Sequence, residues 1–159
     1  MKAQTSSENC LAAALRILTQ RDHSCSELSR KLIDRGFSQD QIKWAVSECS
    51  RLHYLDDERY ADIYAHQLQR KGYGCYRIQQ KLIAKGLPNQ VIASCLENYC
   101  RDKVQIQSCR QAMHKKLKGN QAIEGPVETK ARVYRFLLSR GFSSAIIQQV
   151  MDDAFIQRE

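Results

Sequence analysis

The stretch Leu82-Ile83-Ala84-Lys85-Gly86-Leu87-Pro88 decides the fold, because the chain carries it three times. Leu32-Ile33-Asp34-Arg35-Gly36-Phe37-Ser38 precedes it, and Leu137-Leu138-Ser139-Arg140-Gly141-Phe142-Ser143 follows. Each copy reads as two apolar residues, a base, a glycine, an apolar residue and a helix-starting residue. With the glycines aligned, Leu28, Ile78 and Val133 stand eight positions earlier, and Ile42, Ile92 and Ile147 six later. Val46, Leu96 and Met151 stand ten later. Six apolar columns therefore hold in all three copies, counted at −8, −4, −3, +1, +6 and +10. The glycines are 50 and 55 residues apart, the period of a helical repeat array.

Each copy reads as three helices. Apolar residues at −8, −4 and −3 predict one helical face ending at the glycine. A base in the last turn complements the negative helix end, and the glycine supplies the left-handed residue that stops it. Ser38, Pro88 and Ser143 then open the next helix, Ser38 with Gln41 as a capping box. Upstream, Leu11, Ala14, Leu15 and Leu18 predict the first helix of copy one, and Ala61, Tyr64, Ala65 and Leu68 that of copy two. Thr5 with Glu8 and Ser24 with Glu27 are expected as capping boxes, and Asp56 as an N-cap with Asp57 and Glu58 behind it. Copy three begins near Arg101 and carries Ala112, Met113 and Leu117. Its connection at 118–127 holds Gly119, Gly125 and Pro126 and is the expected disordered loop. The predicted repeats are 1–53, 54–100 and 101–159, and all six columns are expected to face inward.

Composition agrees with an all-α chain. Glycine and proline number only 7 and 2 in 159 residues, too few for the turns of a sandwich or barrel. No run resembles a membrane span or a secretion signal. The seven cysteines are odd in number and form no C-x-x-C pair, so reduced, mostly buried thiols are expected. Cys95, Cys100, Cys109 and His114 lack the spacing of a structural zinc site. We expect neither metal nor cofactor.

Nor is there a catalytic constellation. Asp56, Asp57, Glu58 and Asp62 suit capping better than paired carboxylate chemistry, because sequence neighbours on a helix do not face one another. His23, His53, His66 and His114 lie outside any nucleophile motif. Lys71-Gly72-Tyr73-Gly74 reads as an inter-helix turn. The charge pattern says more. The net charge is +8, and residues 63–96 contain no acid at all. Arg77, Lys81 and Lys85 recur every four residues, with Tyr73 and Tyr76 at the start of the helix. Bases interleaved with aromatics serve nucleic-acid binding and protein hot spots alike, and both readings stand at this level. The helices after the turns are poor in bases: Lys43 in copy one, none from Asn89 to Cys95, none from Ser144 to Phe155. That tells against sequence-specific DNA reading by helix-turn-helix units.

Tyr54-Leu55-Asp56-Asp57-Glu58-Arg59-Tyr60-Ala61, then Lys71-Gly72-Tyr73-Gly74 with Arg77-Ile78 and Leu82-Ile83-Ala84-Lys85-Gly86, resembles the signature of the RecX regulatory proteins. The outer copies resemble the family through Glu27-Leu28, Lys31-Leu32 and Arg35-Gly36-Phe37, and through Phe136-Leu137 and Arg140-Gly141-Phe142-Ser143. Cys75-Tyr76 departs from it, standing where a proline or a base is often seen. The resemblance implies an elongated tandem array of three three-helix repeats. It implies a cytoplasmic monomer that binds the RecA filament and inhibits its ATPase, strand-exchange and coprotease activities in recombination, repair and the SOS response. Weak binding to single- or double-stranded DNA is implied as well. The alternative is a DNA-binding protein of tandem helix-turn-helix-like units. The expected contact surface is Arg70, Lys71, Tyr73, Arg77, Lys81 and Lys85, extended by Lys115, Lys116, Lys118, Arg132, Arg135 and Arg140.

Overall fold

The computed structural model describes residues 2–118 and 126–156, with side chains from 7 to 118 and from 127 to 154. They form α1 (Lys2–Leu18), α2 (Cys25–Ile33), α3 (Gln39–Arg51), α4 (Asp57–Arg70), α5 (Cys75–Ala84), α6 (Asn89–Tyr99), α7 (Asp102–Lys118), α8 (Pro126–Ser139) and α9 (Ser144–Ile156). No strand occurs among the described residues. The expected loop at 118–127 is shortened at both ends by α7 and α8, and its remainder lies outside the described residues.

The chain divides into two compact units, residues 1–63 with 82–92 and residues 64–81 with 93–159. In the first, α1 packs on α2 and α3 around Cys10, Ala14, Ile17, Leu28, Leu32, Ile42 and Cys49. In the second, α7 packs on α8 and α9 around Cys109, Met113, Val133, Leu137, Phe142, Ile147 and Val150.

Three of the columns are buried in every copy or nearly so: −8, −4 and +6 are at most 4% exposed. The +1 column is buried at Leu87 and Phe142 and half-buried at Phe37, and the +10 column is half-buried throughout. The −3 column is a correction. Ile33, Ile83 and Leu138 are 49%, 55% and 50% exposed. Positions −8 and −4 lie about 40° apart around a helix, while −3 lies about 100° further on, off the buried stripe. A column at +9 takes its place, with Ala45, Cys95 and Val150 all buried. Its three residues share little character, so the alignment hid it.

The caps follow their side chains. Ser38 and Gln41 make the full capping box, and the Asp56 carboxylate accepts from the Arg59 amide at 2.9 Å. Two expectations change. α1 already runs from Lys2, so Thr5 does not begin it. The Ser24 hydroxyl caps the Glu27 amide, but the Glu27 carboxylate turns elsewhere. It accepts from Lys85 Nζ at 2.7 Å, from both terminal nitrogens of Arg21 at 3.3 Å and from the Tyr60 hydroxyl at 3.1 Å. Burial pushes this carboxyl up, but the hydrogen bonds and charges of Lys85 and Arg21 outweigh it and hold the group down at about 2.

One joint is built twice. In the first unit the Ser24 hydroxyl donates to the Lys85 carbonyl at 2.6 Å, and the Cys25 amide donates to the Asp57 carboxylate at 2.9 Å. In the second, the Gly74 and Tyr76 amides donate to the carbonyls of Arg140 and Gly141 at 2.9 and 3.2 Å. Between them the Cys75 amide donates to Gln105 Oε1 at 2.9 Å. The second and third base-glycine turns thus offer carbonyls to the start of the preceding repeat's middle helix. The following repeat's first helix supplies one more acceptor. Helix ends otherwise leave these groups unpaired.

The cysteines are a further correction. Cys10, Cys49, Cys95 and Cys109 are buried and Cys25 is half-buried, all five outside any disulfide, but Cys75 is joined to Cys100 as a disulfide. Spacing could not reveal this pair, since α5 and α6 separate its members.

Leu82→Ala is expected to cost about 2–5 kcal/mol in a denaturant melt, while Ile83→Ala costs less than about 1 kcal/mol. Equal costs would restore the inward −3 column. Gly36 and Gly141 have φ of +83° and +88°, but an added Cβ meets open space at Gly36 and the Arg77 backbone at Gly141. Gly36→Ala should therefore cost only the left-handed strain of about 1–2 kcal/mol, and Gly141→Ala clearly more. For Glu27 the folded value lies below the ordinary 4.5. The network's stabilisation is complete above that pH and is lost as pH falls towards 2. A depression of this size corresponds to about 3 kcal/mol. Urea midpoints of wild type and Glu27→Gln should converge across that window, and parallel curves would contradict the ion network.

Candidate interaction surface

Five residues of the second unit alternate cation and ring around the second joint. Gly72 has φ +79° and ends α4, and Tyr73 follows at half-burial. Lys81 Nζ lies 5.2 Å from the Tyr73 ring centroid, and the Arg140 guanidinium 4.8 Å from the same ring. Arg140 also lies 5.0 Å from the Phe136 ring, which Lys116 Nζ approaches at 5.2 Å. Such contacts contribute about 0.5–1 kcal/mol each at exposed sites. Arg140 further donates to the Lys71 carbonyl at 3.2 Å. Three helices and two turns therefore converge on the alternation Lys81, Tyr73, Arg140, Phe136, Lys116.

The fold brings some of the expected surface together and leaves some of it apart. Arg70 and Lys71 are exposed at the α4–α5 turn, and Arg77 is exposed with its guanidinium on Gln80 Oε1 at 3.0 Å. Lys115 and Lys118 are exposed on α7; on α8, Arg135 is exposed and Arg132 half-buried. Lys85 differs in role, because its ammonium is held by buried Glu27 inside the first joint. Phe136 enters the site without having been expected there. Its place between two cations depends on packing of α8 on α7, which no local pattern encodes.

Beside this cluster is a cleft of about 360 Å³. Tyr76, Arg77 and Gln80 of α5 form one wall, and Leu138, Ser143 and Ser144 the other. Tyr76 is 61% exposed. The cleft offers apolar contact, one cation and hydroxyls, a mixture suited to a macromolecular partner.

The acidic run is used structurally: Asp56 caps α4 and Asp57 holds the start of α2. His23 is buried, its Nδ1–H donating to the Arg21 carbonyl at 2.8 Å, and burial lowers its pKa. Cys100, a candidate zinc ligand, is taken up by its disulfide. Among the described residues no three of His, Cys, Asp and Glu converge to hold a metal.

Known proteins share this plan. Models of the first, second and third three-helix domains of RecX match residues 10–49, 56–96 and 104–151. The regulatory protein RecX of Trichlorobacter lovleyi is 31% identical over 153 residues, covering 96% of this chain and 99% of that one. That of Legionella pneumophila is 35% identical over 141 residues, covering 89% and 91%. The crystal structure of RecX from Lactobacillus salivarius superposes with a TM-score of 0.84 at 21% identity over 96% of this chain and 99% of that one, a likeness of fold. Three domain models matched in order, on a chain whose repeat joint is built twice, leave one assignment: this chain belongs to the RecX family of regulatory proteins.

Proposed function

We propose that this protein is a cytoplasmic, monomeric regulator that binds the RecA recombinase filament and inhibits its ATPase, strand-exchange and coprotease activities. It has no enzymatic activity of its own in this reading. The observation that carries the reading is the cation–aromatic alternation around Tyr73, placed on a chain of the RecX family. A filament bearing nucleic acid presents phosphates, and a one-signed basic surface is attracted to them. Arg70, Lys71, Tyr73, Arg77, Lys81, Lys115, Lys116, Lys118, Arg132, Arg135 and Arg140 are the proposed contacts. Lys85 contributes through the joint it holds. Among the described residues no helix is long and apolar enough to cross a membrane.

Bare DNA is a secondary ligand in this reading. Phosphate contacts release counterions, so binding to single or double strands is weak, tolerant of sequence and weakened by salt. α6 and α9 contain no Lys or Arg, which leaves the tandem helix-turn-helix reading without a basic recognition helix in two of three repeats.

The experiment is a titration of RecA's single-stranded-DNA-dependent ATP hydrolysis with wild type and with Arg77→Glu/Lys81→Glu, each checked for helicity. Wild type should slow hydrolysis at concentrations below those that coat DNA. The folded double variant should need severalfold more protein. Unchanged hydrolysis with wild type would end the filament reading, and equal inhibition by the variant would move the surface elsewhere. Tight, salt-independent binding to one duplex sequence would favour the helix-turn-helix alternative.

A further inference from the structure

Cys75 and Cys100 are chemically unlike the other five cysteines. Cys10, Cys49, Cys95 and Cys109 are buried. Burial pushes the Cys10, Cys49 and Cys109 thiols up, Cys109 to about 12. Cys25 is pushed up to about 11 by burial and by the neighbouring Asp57. Thiols held in this way are poor nucleophiles. Cys75 and Cys100 are half-buried, with Cα atoms 5.4 Å apart, within reach of small solutes and of each other.

Their position is the second argument. Cys75 lies between Gly74 and Tyr76, the two residues whose amides hold the Arg140 and Gly141 carbonyls. It is also the first residue of α5. Cys100 follows α6 and precedes α7. Gln105, buried on α7, accepts from the Cys75 amide and donates through Nε2 to the Tyr99 carbonyl at 2.6 Å. This one side chain holds both cysteine-bearing segments, so the thiols stay adjacent after the bond is broken and the bond can form again without a search.

We propose that Cys75 and Cys100 are a reversible redox centre that sets how firmly the Arg140–Gly141 turn is held on the start of α5, and with it the Tyr76–Arg77–Leu138 cleft. A low-molecular-weight disulfide is the oxidant. The Cys75 thiolate attacks one of its sulfurs, forms a mixed disulfide and releases one small thiolate. The Cys100 thiolate then attacks the Cys75 sulfur, forms the protein disulfide and releases the second. Two protein thiols are oxidised, one small disulfide is reduced to two thiols, and two protons pass to solvent or to the released thiolates. Oxidised, the α6–α7 junction is tied covalently to the joint. Reduced, the joint keeps only its hydrogen bonds.

The test uses the full chain and oxidised glutathione. Mass spectrometry after thiol labelling should find five free thiols in oxidised wild type and seven after reduction, with Cys75 and Cys100 as the pair that changes. Reduction should quicken amide exchange at Gly74 and Tyr76 by tenfold or more and lower Tm by on the order of 5–10 °C, since the bond closes a loop of about 25 residues. Cys75→Ser and Cys100→Ser should behave as reduced wild type under either condition, while Cys25→Ser keeps the response. Failure of the pair to form with oxidised glutathione would overturn the proposal. So would exchange at Gly74 and Tyr76 that ignores redox state. One further readout rests on the filament reading: oxidised protein should inhibit RecA at severalfold lower concentration, because its cleft is preorganised. Inhibition in neither state counts against the filament reading, while thiol count and exchange decide the redox centre. Equal inhibition by both forms would overturn control of the cleft.

Discussion

Helix ends that complete one another hold this protein's repeats in order. The last carbonyls of one middle helix and the first donors of the preceding one both lack partners within their own helices. Here they meet. Lys85 and Ser24 do so in the first unit, and Arg140 and Gly141 with Gly74 and Tyr76 in the second. The dipoles oppose favourably at such a meeting, since a negative end faces a positive one. Close approach is possible because the joint lacks side chains where the backbones touch. A Cβ added to Gly74 would meet the Gly141 backbone, and one added to Gly86 would meet the Ser26 side chain.

The same joints account for charges that look like free surface in the sequence. Each turn carries a base before its glycine, and in two copies that base is committed. Lys85 pairs with Glu27, and Arg140 lies against Tyr73 and Phe136. A buried ion pair is weak evidence of net stabilisation, but a fully hydrogen-bonded carboxylate of this kind fixes geometry. In the first copy Gly36 has open space around its Cβ position and Arg35 is exposed. The base-glycine motif therefore stops a helix in every copy and makes a joint where an earlier repeat exists to receive it.

Local order at the second joint also organises the proposed surface. Arg140 is positioned by a carbonyl of the Lys71 turn and by two rings, so the Tyr73 cluster and the joint are one construction. Cys75 and Gln105 belong to it as well, through the amide they share. A change in the joint is thereby a change in what the surface presents.

Sequence periodicity determined the helices and the repeat, because both rest on local spacing, while the family was legible in the motifs around Asp56 and Gly72. Gly36, Gly86 and Gly141 stop helices wherever they stand, Ser38 caps with Gln41, and Leu28, Leu32 and Ile42 fall on faces that 3.6-residue geometry predicts. Tertiary structure decided what depends on meetings between distant segments. Periodicity grouped Ile33, Ile83 and Leu138 with the core, but the edge of a helix is buried only where a neighbour covers it, and these three are 49%, 55% and 50% exposed. Glu27 read as half of a capping box until Lys85, 58 residues away, claimed its carboxylate. Phe136 joined the cation–aromatic cluster, and Cys75 met Cys100, because a hydrogen bond, a ring contact or a disulfide needs atoms within a few ångströms. Spacing along the chain fixes that distance only within one helix, and between helices packing alone sets it.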